Sequence, residues 1–523
     1  HRDKPFIECE YTHAMGNSCG GMQLYTELAW EDELFQGGFI WDYIDQSITG
    51  KDPFGNDTQY YGGDFDDSPT DYNFSGNGIV YGGDRDISPK IQAVRYNYRP
   101  VDLKIDFDKD VLHVHNRNLF RNLSDYKFIL YIKKFGKTLY ESSFTLKAEG
   151  LSKTEHVLNA KEKATELFGV YGNELVIGVK AVLNIETIYD LGEVSFTELV
   201  LREGNKAYDA LFSKFNETVI CDTILCENKP YKLTMGVVNF GIKGDNFEAL
   251  FSQNFGGLVS YRYAGKELLK SIPRPNFWRP PTDNDFGNNM PFRYSKWKTA
   301  SLYATTKVPR EDSTYWPAFR PVIKEYDTYV SVTYKYALPA CADELTVEYE
   351  VFGDGSIKIN MDYKSETGHY DLPEFGTMFK LKPEYENISW YGAGPMETYS
   401  DRLPGAKIDL FEGKVADQLA KYLSPQESGN KSHVRFAKIT DKKGRGLIVA
   451  GNCINVSALA YTPSEIEEAR HDFELPPVTK TVLRVNLAQM GIGGDDTWGA
   501  PTLEDYLIKG EGTLKFSFVI KGI

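Results

Sequence analysis

From about residue 99 to its end, the chain alternates apolar and polar residues in short runs separated by turn formers. A period of two puts one set of side chains on a core face and the other toward solvent, as a half-buried β-strand requires. "VDLKIDFDKDVLHVHNRN" reads as a hairpin, and "YKFILYIKKFGKTLYESSFTL" as strand, Gly turn, strand. "ELVIGVKAVLN" and "VSFTELVL" add two more strands. Together they predict an immunoglobulin-like β-sandwich over residues 99–203. "REGNKAYDALFSKFNETVICDT" reads as a connector, so 204–226 is assigned as a linker. Strands return over 227–523 ("LTVEYEVFGDGSIKINMDY", "GRGLIVAG", "GTLKFSFVIKG") with few helical patterns. That length exceeds one ordinary sandwich and predicts a large two-sheet β-sandwich domain. Neither β region shows a fixed-period repeat.

Residues 1–98 have a different texture. "KPFIECE" reads as a short buried strand. "GNSCGGMQLYTELAWEDELFQGG" reads as a helix with Asn17 or Ser18 as N-cap and glycines after Phe35 to stop it. "GGFIWDYIDQSI", aromatic and β-branched, reads as a second strand. Strand, helix, strand with short joints is a βαβ unit, so the two strands are expected to be parallel neighbours. The chain as a whole is expected to be multidomain and mainly β.

A net charge of −15 without any Lys/Arg cluster argues against a nucleic-acid partner. No run approaches the ~18 apolar residues of a membrane helix. Plentiful aromatics (34 Tyr, 31 Phe, 7 Trp) suit sheet cores and sugar-binding clefts alike. The six cysteines (Cys9, Cys19, Cys221, Cys226, Cys341, Cys453) show neither CxxC pairing nor metal-ligand spacing and read as isolated buried thiols. The sequence leaves the compartment open between bacterial cytoplasm and periplasm.

In the first strand Phe6, Glu8 and Glu10 share one side, and Ile7 and Cys9 the other. A carboxylate at the C-terminal end of a parallel strand is where (β/α)-barrel enzymes keep catalytic groups, and Glu10 fits that position. It equally fits a carboxylate capping the next turn. Tyr11 and His13 in the following loop can hydrogen-bond a polar ligand or orient a carboxylate. Trp41, near the end of the second strand, can stack on a sugar ring or fill a core.

Six motifs add to this: "CEYTHAMGNS", "GGFIWDYIDQS", "YGGDFDDSPTDYNFSGNGIV", "NFWRPPTDNDFG", "WYGAGPMETYSDR" and "MGIGGDDTW". In order along essentially the whole chain, they resemble the large microbial β-galactosidases of glycoside hydrolase family 2. The resemblance implies that residues 1–98 are the C-terminal part of a catalytic (β/α)8 barrel, followed by the family's fourth and fifth domains. It further implies retaining hydrolysis of β-galactosides such as lactose, with Glu10 as the nucleophile that forms a covalent galactosyl-enzyme. By the same likeness His13 and Trp41 line the galactose pocket, and Phe74 (through its carbonyl) and Asn77 bind a sodium ion that touches the sugar. Trp498 is the tryptophan that the last domain lends to the aglycone side. A magnesium ion, held mostly by residues upstream, and a homo-oligomer are implied as well.

A retaining glycosidase needs two carboxyl groups ~5–5.5 Å apart. In the family the acid/base lies on an earlier barrel strand, so an upstream segment or subunit is expected to supply it and to complete the barrel. The chain alone is then expected to be inactive. Glu8, where the family has an apolar residue, is read as an acid one layer down in the barrel. Two alternatives remain: a non-catalytic carbohydrate-binding or scaffold subunit, and another family 2 activity such as β-glucuronidase. "GGDFDDSPTD", "PPTDNDFGNN" and "GGDDTW" could bind calcium or magnesium through oxygen ligands, or form Asx turns at the surface. In the second, Asp283, Asn284 and Asp285 also resemble a loop that the family places near the barrel. His433 and His471 read as surface or internally satisfied histidines.

Overall fold

The computed structural model of the chain describes residues 3–171, 174–185, 192–202, 226, 228–306, 320–341, 344–365 and 371–523. All of the expected linker except Cys226 lies outside the described residues, Cys221 included. The chain groups into two compact units, one of residues 1–93, 216–403 and 411–523, the other of 94–215 and 404–410.

The second unit is the immunoglobulin-like sandwich. Its first sheet runs Val101–Asp106, Val111–Asn116, Lys153–Val157; its second runs Glu193–Arg202, Glu174–Leu183, Tyr126–Lys134, Lys137–Phe144. The period of two sends Val101, Leu103, Leu112 and Val114 inward from one sheet, against Phe128, Leu130, Ile132, Leu175 and Ile177 from the other. Each such side chain contributes about 1.5–3 kcal/mol by burial. A helix over Lys161–Tyr171 adds to the strands that the alternation predicts. Residues 404–410 join this unit through Lys407–Glu193 (2.7 Å) and Asp409–Lys133 (2.8 Å) ion pairs.

In the first unit, strand β1 (Phe6–Tyr11) pairs in parallel with β2 (Phe35–Ile40), and helix α1 (Met22–Glu31) connects them. The expected βαβ unit is present, with three corrections. Helix α1 is capped at its N-terminus by Gly21 (φ 74°), not by Asn17 or Ser18, because both side chains are taken elsewhere: Asn17 Nδ2 donates to the distant Glu427 O (2.7 Å), and Ser18 Oγ to His13 O within the same loop. It ends at Asp32, so Gly37 and Gly38 lie inside β2. Strand β1 is open to solvent rather than buried. Of the described cysteines only Cys19 is buried; Cys9, on β1, is exposed.

The rest of this unit is the large β-sandwich. A five-stranded sheet from Lys232 to Glu267 accompanies a twelve-stranded sheet built from strands between Leu269 and Gly522. Phe277, Trp297, Tyr363 and Phe375 form a ring cluster in its core, with centroids 5.6–6.3 Å from Phe277. Between strands, the helix Asp283–Gly287 opens with a capping box. Thr282 Oγ1 accepts from Asp285 N–H (3.2 Å), and Asp285 Oδ2 accepts from Thr282 N–H (2.8 Å). Arg279 locks that carboxylate from the other side at 2.6 Å, with both groups fully buried. No helix among the described residues is long and apolar enough to cross a membrane.

Candidate active site

From Tyr11 at the end of β1, through the loop that follows, to Met22 at the start of α1, every residue is buried. A buried loop must find partners for its backbone polar groups, and here distant residues supply them. Ala14 N–H donates to Trp41 O (2.7 Å), Gly16 N–H to Gly76 O (3.0 Å), Asn17 N–H to Gln426 Oε1 (3.0 Å) and Gly20 N–H to Gly493 O (2.9 Å). The buried Lys90 ammonium donates to Ala14 O (2.6 Å) and Gly16 O (2.9 Å), and Arg402 to Ser18 O (2.6 Å). Burial pulls the Lys90 pKa down, and Asp45 partly offsets this. Gly16 cannot carry a side chain: its φ is 54°, and a Cβ would stand 2.3 Å from Asp283 Oδ2.

This loop aims Glu10 and His13. Glu10, 36% exposed, ends 3.9 Å from His13 Nε2, while the His13 ring is 1% exposed and its Nδ1 lies 2.7 Å from Thr497 Oγ1. Burial lowers His13 to about 4, further aided by the Lys90 charge and opposed by Asp496, so the ring is neutral at pH 7 and the contact with Glu10 is not an ion pair. Thr12 between them has φ 46°, costly for a β-branched residue, and its buried Oγ1 has no hydrogen-bond partner among the described residues. Strain of this kind concentrates at functional sites. Glu8, half-buried, is pushed up by burial and by the Asp495 charge.

Around His13 stand Phe74 (centroids 5.5 Å apart) and Trp498 (5.2 Å, edge-on), with Phe74 and Trp498 themselves 6.2 Å apart. Asn77 Nδ2 donates to Phe74 O (3.1 Å), and the buried Asn77 Oδ1 has no partner among the described residues. Trp41 joins through its backbone, by the Ala14 bond and because Asp42 N–H donates to Asn77 O (2.7 Å); its ring is 41% exposed. Glu10, His13, Phe74, Asn77 and Trp498 are thus linked through direct neighbours, and Trp41 through the chain.

Thr497, Asn284, Lys90, Gln426 and Asn73 also shape the site, and no local spacing marks them. Asn73 and Gln426 hold Asp283 at 2.8 Å each, and burial raises that carboxyl. The acidic loops act as turn and packing acceptors. Asp496 Oδ1 accepts from the N–H groups of Trp498, Gly499 and Ala500; Asp67 Oδ1 accepts from Gly63; Asp495 takes the Tyr25 hydroxyl at 2.6 Å. Among the described residues no cluster of three His, Cys, Asp or Glu is placed to hold a metal. His471 is internally satisfied, 2.9 Å from Asp64.

The parallel βαβ unit thus carries a carboxylate at a strand end beside a buried histidine, with two exposed indoles nearby. Residues 1–103 match the glycosyl hydrolases family 2 TIM barrel domain, and residues 243–520 match the β-galactosidase small chain. The β-galactosidase of Halalkalibacterium halodurans is 38% identical, over 99% of this chain and 49% of its own length. Those of Streptococcus thermophilus (36%, 99% and 47%) and Priestia megaterium (34%, 99% and 48%) are similar in the same way. This chain belongs to the β-galactosidase small-chain family, joined to a family 2 glycosyl hydrolase barrel segment, as its motifs implied. It spans about half the length of the curated relatives it matches.

Proposed function

We propose that this chain supplies the nucleophile side of a retaining β-galactosidase, releasing terminal β-D-galactose from β-galactosides such as lactose. The observation that carries the reading is the meeting of Glu10 with His13, itself bonded to Thr497 from 484 residues away, in a chain of this family. A Glu10 oxygen attacks the anomeric carbon as the aglycone leaves, giving a galactosyl ester that water then cleaves. The proton for the leaving oxygen comes from a second carboxyl, ~5–5.5 Å away, on an upstream segment that completes the barrel. Trp41 and Trp498 offer apolar faces, Trp41 to galactose and Trp498 to the aglycone side.

The orphaned Asn77 Oδ1, beside the Phe74 carbonyl, fits a small hard cation that takes neutral oxygen ligands. These two groups would hold the sodium ion, which when bound offers a sugar hydroxyl oxygen a positive partner. Magnesium is assigned, with the acid/base, to the upstream segment. The test is a chromogenic β-galactoside offered to the chain alone and after the upstream segment is added back. Activity on recombination only, with a 2-deoxy-2-fluorogalactoside labelling the Glu10 peptide, is the expected result. Silence in both cases favours a non-catalytic carbohydrate-binding or scaffold subunit, and preference for a glucuronide favours another family 2 activity. Light scattering of the recombined material tests for the homo-oligomer.

A further inference from the structure

We infer that the large β-sandwich fixes the tautomer of His13: Asn284 and Thr497 are positioning residues that keep Nδ1 protonated and leave Nε2 bare toward Glu10 and the sugar. The inference rests on the β-galactosidase reading for its catalytic consequence, but the proton assignment stands on geometry alone.

The Ile492 carbonyl can only accept a hydrogen bond. The Asn284 side-chain atom 3.0 Å from it is therefore Nδ2, which also reaches Ser18 Oγ at 3.3 Å. Ser18 Oγ gives its own proton to His13 O, so it too accepts from Asn284. Asn284 Oδ1 is then the atom facing Thr497 Oγ1 at 2.9 Å, and it takes the hydroxyl's one proton. Toward His13, Thr497 Oγ1 can only accept, so Nδ1, 2.7 Å away, carries a hydrogen. In a neutral imidazole the other nitrogen is bare. The ring is 1% exposed and Nε2 lies 3.9 Å from Glu10 Oε1, beyond hydrogen-bond reach, so a charge on the buried ring would stand uncompensated and the ring stays neutral.

The consequence falls on the nucleophile. Nε2 and Glu10 Oε1, 3.9 Å apart, are two acceptors facing one another. In the opposite tautomer Nε2 would turn the positive end of its N–H dipole toward the carboxylate and draw electron density from the attacking oxygen. With Nε2 bare, Glu10 keeps its nucleophilicity, and the imidazole accepts a hydrogen bond from a sugar hydroxyl.

Histidine-selective 15N labelling of the full chain tests this, with the His13 signals assigned by their loss in His13→Gln. The expected wild-type pattern is a pyrrole-type Nδ1 and a pyridine-type Nε2. Thr497→Val keeps the shape but drops the hydroxyl and should mix the tautomers, whereas Thr497→Ser should keep the wild-type pattern. A pyridine-type Nδ1 in the wild type overturns the inference, as does an unchanged spectrum in Thr497→Val; if that variant does not fold, the wild-type spectrum still decides. In the recombined enzyme Thr497→Val should lower kcat/KM about tenfold and Thr497→Ser restore it to within about threefold. A wild-type enzyme with no galactoside turnover would sink the β-galactosidase reading, while the spectrum would continue to judge the tautomer separately.

Discussion

In β1 Phe6 and Ile7 are 57% and 59% exposed, whereas in the loop that follows every residue from 12 to 21 is buried. A barrel strand is ordinarily the rigid element and its loop the mobile one. Here the loop is clamped by Asp283, Arg402, Gln426, Gly493 and Thr497, all from the terminal part of the chain. The rim carrying Glu10 and His13 thus takes its shape from the large sandwich more than from its own strand. This gives the sandwich a role in the site beyond lending one tryptophan.

The largest effect should come from Glu10→Gln in the recombined enzyme, where turnover falls by several orders of magnitude while the melting curve stays put. Glu10 is part exposed and the amide keeps its volume, so retained hydrolysis would remove the nucleophile assignment. Next is the clamp itself. Gly16→Ala forces a positive φ on a side chain that meets Asp283 and Gln426 at 2.3–2.4 Å, and should cost about 2–4 kcal/mol in denaturant unfolding. A cost near zero would mean the loop is not held as tightly as its burial implies.

His13 gives the comparison a pH axis. Its folded value of about 4 lies below the ordinary 6.5, so between these the unfolded chain binds a proton that the folded chain does not. Its contribution to stability is whole above pH 6.5 and is lost as pH falls toward 4, at most about 3 kcal/mol. Unfolding free energies measured across that window should flatten in His13→Gln. Smaller again is Trp498→Ala. The indole is 58% exposed, so stability should hold within about 0.5 kcal/mol, while KM rises about three- to tenfold from the lost ring contact. A sharp fall in melting temperature with unchanged kinetics would make Trp498 a packing residue instead.

The alternation that places Val101, Leu103, Leu112 and Val114 in one core is legible in the sequence because it is local, and so is the strand, helix, strand order around Met22–Glu31. The helix N-terminus is misread because other partners win: Asn17 and Ser18 have good capping chemistry, but the distant Glu427 O takes the first side chain and His13 O, in the same loop, the second. Glu10 as a strand-end carboxylate can be read from pattern. Trp498 and Asn77 come only from the family motifs, since no spacing rule joins residue 13 to residue 498. Asn284 is legible only as part of a family loop near the barrel, and Thr497 and Lys90 are invisible because a lone Thr or Lys gains meaning only from partners tens to hundreds of residues away.

The smallest effect tests the other half of the comparison. Ile7 sits on the open strand, and with its side chain 59% exposed, Ile7→Ser should change the stability of the chain alone by no more than about 0.5 kcal/mol. If an upstream segment completes the barrel as proposed, the same side chain becomes core on recombination, and its loss then removes about 1.5–3 kcal/mol of burial. The diagnostic is therefore a difference: a variant silent in the melting curve of the isolated chain but weaker in binding the added segment. Equal effects in both measurements would mean that β1 is already as covered as it will ever be, and the proposal of a completing segment would fall with it.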